Sequence, residues 1–123
     1  MLLKAGDIIH AYIEDIYPPK YKYLLCVHPE RKLFLMINTE DREMYRCISI
    51  KSSDYQFLKG KDRFISSNKF FTINDTTIEK CKILDSLNNE DKLRVYNKIQ
   101  EAPKISISDK LLSQILLIHV LSL

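Results

Sequence analysis

The segment YKYLLCVHPERKLFLMIN, residues 21–38, constrains this chain more than any other stretch. YKYLLCVH and KLFLMIN read as two strands joined by PERK, a tight polar turn. Both runs are near-continuously apolar instead of alternating, so each strand needs cover on both faces of its sheet. The hairpin also fixes which residues meet at its open end. Lys22 and Asn38 each stand about half a dozen residues from the centre of the turn, so they should be near neighbours across the ladder. Lys20, Lys22, Asn38 and Thr39 then gather at one end of the sheet, beside the charged loop EDREMYR.

The rest of the chain supplies the cover. DIIHAYI alternates well enough for a first strand, with Gly6 at its entry, and RCISIK reads as a fourth. RFISSNKFFTI offers a fifth and a short sixth, and SSDYQFLKGKD reads as one helical turn followed by a loop. From about residue 74 the pattern turns mainly helical. Asn88 is the N-cap of a helix with Glu90 and Asp91 in its first turn and Leu93, Tyr96 and Ile99 on one face, ended by Pro103. A last helix starts at Ser106 or Ser108, with Leu111, Leu112, Ile115 and Ile118 expected to face inward. From Ile115 onward it is apolar almost all round, so part of it should lie in a packed core or a homodimer contact. The expected architecture is one domain spanning residues 1–123. It is mainly β with C-terminal helices: a small, strongly curled antiparallel barrel over about 1–73 and a mainly helical part over about 74–123.

Several function classes fall away on composition. The net charge is only +3, so contact with nucleic acid needs a local basic patch. Cys26, Cys47 and Cys81 are odd in number and widely spaced, which argues against a disulfide framework and a zinc ribbon. His10, His28 and His119 show no metal-ligand spacing. The longest apolar stretch, ILLIHV, is far short of the roughly 18–20 residues of a membrane span. MLLKAGDII does not read as a signal peptide, and the cytoplasm is the expected location.

Around the hairpin, Tyr17, Tyr21, Tyr23, Tyr45 and Tyr55 interleave with Lys20, Lys22, Arg42, Arg46 and Lys51. Aromatic faces with cations between them suit a single-stranded nucleic acid, since bases stack and cations follow phosphates. The plainer alternative is that the tyrosines edge the core while lysine stems pack over them. The order of elements resembles the MazF/PemK-like toxin family over about residues 5–101. Gly6-Asp7-Ile8-Ile9 is similar to that family's opening strand, KYKYLLCV falls where it has Lys-x-Arg-Pro, and INTE falls where it ends the third strand with Thr or Ser.

The resemblance implies an SH3-like barrel, usually dimeric, that cleaves single-stranded RNA without a metal or other cofactor and is partnered by an antitoxin protein. It places Lys22 where the family has its catalytic arginine, Tyr23 in place of the proline, and Thr39 at the retained hydroxyl position. Lys22 would stabilise a phosphorane as a point charge without arginine's bidentate fork. Proton transfer then falls to His10 or Asp41, and RNA contacts to Lys20, Tyr21, Tyr23, Asn38, Arg42 and Arg46. His28 is excluded, because it stands at the opposite end of the hairpin. Two other classes remain open: a barrel that binds RNA or protein without cutting, and a structural component of a mobile element.

Overall fold

In the computed structural model, which describes residues 2–121, the apolar hairpin forms as β2 (Lys20–His28) and β3 (Leu33–Asn38). Lys32 closes the turn by donating its N–H to the Pro29 carbonyl at 3.2 Å. Four more strands complete a curled antiparallel sheet: β1 (Asp7–Ile13), β4 (Cys47–Ile50), β5 (Arg63–Ser66) and β6 (Lys82–Ser86). Their order is β4-β5-β3-β2-β1-β6, so the hairpin is central. Among the described residues three α-helices, α1 (Asp75–Lys80), α2 (Asn89–Glu101) and α3 (Ile107–Leu121), and two single 3-10 turns, Glu43–Tyr45 and Gln56–Leu58, accompany the sheet.

Both faces of the hairpin are covered, as continuous apolar strands require. Ile8, Leu25, Val27, Leu35, Ile37 and Ile65 line one face and pack with Val95, Tyr96 and Ile99 of α2 and Val120 of α3. Ile9, Ala11, Leu24, Cys26 and Phe34 line the other, under Ile78 of α1 and Ile73 just before it. The second cover is thinner: a six-residue helix and the strap leading to it. That strap touches β3 at one point, where Phe34 and Phe71 exchange backbone hydrogen bonds of 2.9 and 2.8 Å.

A polar network fastens α2 to the sheet. Asn88 caps the helix by accepting from the Asp91 N–H at 2.8 Å. The buried Tyr55 hydroxyl donates to Asp91 Oδ2 at 2.6 Å and accepts from the Asn88 N–H at 3.1 Å. Burial, then the Asp91 hydrogen bond, pushes the Tyr55 phenol well above its usual range, so it stays a donor. Arg94 bridges Asp91 Oδ1 and the Ser49 carbonyl, each at 2.9 Å. Tyr55 is therefore a core residue and is removed from the aromatic surface anticipated above.

Two departures from the sequence reading have physical causes. The sixth strand comes from the C-terminal third, not from KFFTI, which contributes only the Phe34–Phe71 bridge. KILDS has little strand pattern, and Ile83 is 42% exposed; β6 is held by its ladder to β1, across a bulge at Ile8/Ile9. The second departure is the orientation of α3. Leu111, Ile115 and Ile118 are 54%, 63% and 58% exposed, and Leu112 is half-buried. The buried positions are Ser113 and Val120, with Leu116 and Leu117 partly buried against the core. Ser106 is the cap, accepting from the Asp109 N–H at 3.2 Å. From Ile115 onward the helix is apolar almost all round, so that half carries no period from which its inner face could be read. Small Ser113 and a 2.9 Å hydrogen bond from Gln100 Nε2 to the Lys110 carbonyl set the rotation of α3 on α2.

At the entry to β1, Gly6 has φ of 96°, donates to the Cys26 carbonyl at 2.7 Å and accepts from the Leu87 N–H at 2.8 Å. A Cβ there would stand 2.5 Å from Lys92 Cε, the end of a chain that can swing away, so the dihedral is the main cost. Gly6→Ala is expected to destabilise the fold by about 1–3 kcal/mol in chemical denaturation. A loss under about 0.5 kcal/mol would mean the turn relaxes freely.

Candidate nucleic-acid interface

The open end of the hairpin is built by strand alternation. β1 and β2 pair with Ala11 opposite Lys22 and Ile13 opposite Lys20, and β2 and β3 pair with Tyr23 opposite Ile37. Successive residues of β2 point to opposite faces. Tyr21 and Tyr23 therefore share a face with His10 and Tyr12 of β1, and Lys20 and Lys22 are turned towards the face of Leu24 and Met36.

On the first face the rings form a row. Tyr12 and Tyr21 have centroids 5.1 Å apart, Tyr21 and His10 4.9 Å, His10 and Tyr23 5.0 Å, and Tyr23 and Phe57 5.3 Å. Tyr12 and Tyr21 are 43% and 62% exposed, so one end of the row is open to solvent. The Arg63 guanidinium lies 5.3 Å from the centre of the Tyr23 ring. Together His10, Lys20, Tyr21, Lys22, Tyr23, Thr39 and Arg63 line an open groove of about 320 Å³, with Ile37 at its base.

The groove is electropositive and uncompensated. Among the described residues the ion pairs are His28–Glu30, Lys32–Asp75, Arg42–Glu40, Arg46–Glu101 and Arg94–Asp91, which leaves Lys20, Lys22 and Arg63 without a carboxylate partner. Burial first, then the charges of Lys20 and Arg63, lowers the Lys22 pKa from its ordinary value. An anion would relieve all three cations at once.

The anticipated residues do not all meet in one place. Lys22, Thr39 and His10 come together, joined by Lys20, Tyr21 and Tyr23. Asn38 lies at the same end but on the opposite face, where its Nδ2 donates to Ser66 Oγ. Asp41 is exposed on the following loop and lines neither face of this end. Arg42 is paired with Glu40 at 2.9 Å beside Asn38, Thr39 and Tyr45, and Arg46 reaches Glu101 of α2 at 3.6 Å. His28 sits at the turn, accepting from the Arg31 N–H through Nδ1 at 3.2 Å.

Arg63 and Phe57 are the additions. Both stand in segments anticipated as a strand and a helical turn, but only the placement of β5 against β3 carries Arg63 to Tyr23. Among the described residues no group of three or more His, Cys, Asp or Glu is placed to hold a metal ion, and no helix is long and apolar enough to cross a membrane. No protein-family model matches the chain, and no curated protein matches it.

Proposed function

We propose that this chain is an endoribonuclease that cleaves single-stranded RNA at the open end of the β2–β3 hairpin. On this reading it is a divergent MazF/PemK-like toxin with an SH3-like barrel, acting in the cytoplasm and restrained by an antitoxin. The observation that carries the reading is His10, stacked between Tyr21 and Tyr23 in a groove shared with three unpaired cations. Bases pack on the tyrosines, and phosphates lie on Lys20, Lys22 and Arg63. His10 takes the proton of the RNA 2′-hydroxyl, whose oxygen attacks the neighbouring phosphorus. Lys22 and Arg63 stabilise the phosphorane, and the Thr39 hydroxyl donates a hydrogen bond to it. Lys22, whose ammonium gives up its proton more readily than an ordinary lysine, protonates the departing 5′-oxygen. The products are a 2′,3′-cyclic phosphate and a 5′-hydroxyl. The exposed apolar stripe Ile107, Leu111, Ile115 and Ile118 supports a protein partner on α3, an antitoxin or a second copy.

The test is cleavage of a mixed-sequence single-stranded RNA by purified protein in the presence of a chelator. His10→Ala should slow cleavage by about 10²–10⁴-fold with binding largely kept. The rate should also fall as pH rises through the lowered pKa of Lys22, because the neutral amine neither stabilises charge nor donates a proton. The second reading, RNA binding without cutting, is favoured by Lys22 standing where the resemblance has an arginine. Binding with no cyclic-phosphate product at any pH would select it, and no binding at all would end both.

A further inference from the structure

The lysine pair borders a second groove on the opposite face of the sheet, which the proposed chemistry does not use. Its volume is also about 320 Å³, and Lys20 and Lys22 belong to both grooves. Its apolar lining includes Met36 and Phe71. The rim is polar, with Asn38 and Asn68 as amides and Lys69 as a cation 5.0 Å from the centre of the Phe71 ring. Asn38 has committed its Nδ2 to Ser66, which holds its Oδ1 in a fixed place as an acceptor. Asn68 is half-buried and has no hydrogen bond to the described residues, so its amide offers both a donor and an acceptor to a ligand. Apolar side chains, one complete amide and lysines in one lining match a nucleobase with its phosphate attached, and do not match a bare anion.

We propose that this groove is a base-recognition pocket. It takes the nucleobase on one side of the phosphate held by Lys20 and Lys22, with Asn68 reading the base edge and Met36 and Phe71 packing against its plane. The inference rests on the RNA reading and extends it. The strand passes over the end of the sheet from the aromatic face to the amide face, and the two lysines mark the crossing. The aromatic row is tolerant of sequence, since every base has a face to stack. Discrimination therefore resides in the second groove, where a base that mismatches Asn68 leaves a polar group unpaired.

Two measurements on the full chain decide it. In the first, a randomised single-stranded RNA pool is incubated with wild type and Asn68→Ala, and bound or cut molecules are sequenced. Wild type should show a base preference at one position beside the lysine-bound phosphate, and Asn68→Ala should reduce that preference about tenfold or more. The overall rate on a pool should change much less. In the second, wild type is titrated with the four nucleoside 5′-monophosphates and with inorganic phosphate, followed by backbone amide shifts. A nucleotide should bind at least about tenfold more tightly than phosphate, with the largest shifts at Asn68 and Phe71. RNA cleavage or binding with an unchanged base profile in Asn68→Ala overturns the pocket and leaves the RNA reading standing. Absence of any RNA binding by wild type overturns the RNA reading, and the mononucleotide titration alone then decides the pocket. Nucleotide shifts confined to His10, Tyr21 and Tyr23 would also overturn it.

Discussion

Lys22→Ala is expected to lower RNA cleavage by about 10²–10³-fold, the cost of removing one donor aimed at developing charge. Lys22 borders both grooves, and its own ammonium is held at a disadvantage by burial and by its cationic neighbours Lys20 and Arg63. The disadvantage also sets the sign of the stability change. A lysine whose folded pKa lies below its unfolded value disfavours the folded state at every pH where it is charged, and that penalty disappears only above the unfolded pKa. Thermal stability of Lys22→Ala at neutral pH should therefore be unchanged or higher while activity collapses. Arg63→Ala should behave alike, because its guanidinium meets the same groove from β5. RNA affinity in each variant should become less salt-dependent, the logarithmic slope falling by about 0.7 for each phosphate of a single strand that is no longer neutralised. Full cleavage and an unaltered salt slope in both variants would reduce the cluster to an ordinary strand end.

Phe34→Ala is expected to destabilise the protein by about 3–5 kcal/mol, the usual range for emptying a buried aromatic site. Phe34 has no exposed surface, sits on a central strand and faces the thinner of the two covers. Its backbone also holds the strap at Phe71. A cavity there cannot be filled from α1, which contributes only Ile78 to that core. Against a typical total of about 5–15 kcal/mol, the loss is a large share of the stability of such a domain. The expected drop in Tm is on the order of 10–25 °C. A drop of only a few degrees would mean that the strap and α1 collapse onto the gap. Because Phe71 lines the second groove, nucleotide binding there should weaken together with stability.

Part of the fold is legible in local signals alone. The hairpin is written twice, in its apolar runs and in its polar turn, and β2 and β3 form where those signals place them. Asn88 has a side chain that satisfies an orphan N–H three residues on, so the start of α2 is a local event. The meeting of Lys22 with Thr39 is also local, because an antiparallel pair of known turn must bring those ends together.

Tertiary structure decided the rest, because the interactions concerned have no counterpart in local pattern. KILDS becomes a strand only because β1 has a free edge to pair with. The inner face of α3 is chosen by Ser113 and by the Gln100 bond from α2, where the apolar run from Ile115 onward had left the choice open. Arg63 enters the site through a sheet order in which β5, not β4, lies beside β3. The period of two along β2 puts tyrosines and lysines on opposite faces, but only the surrounding elements give each face its groove: the ring row under Arg63 on one side, and the strap with Asn68 and Phe71 on the other. Sequence by itself determined which residues stand at the end of the hairpin. Folding determined which of them share a groove, since side chains from β1, β3 and β5 meet there only once distant backbone segments have paired.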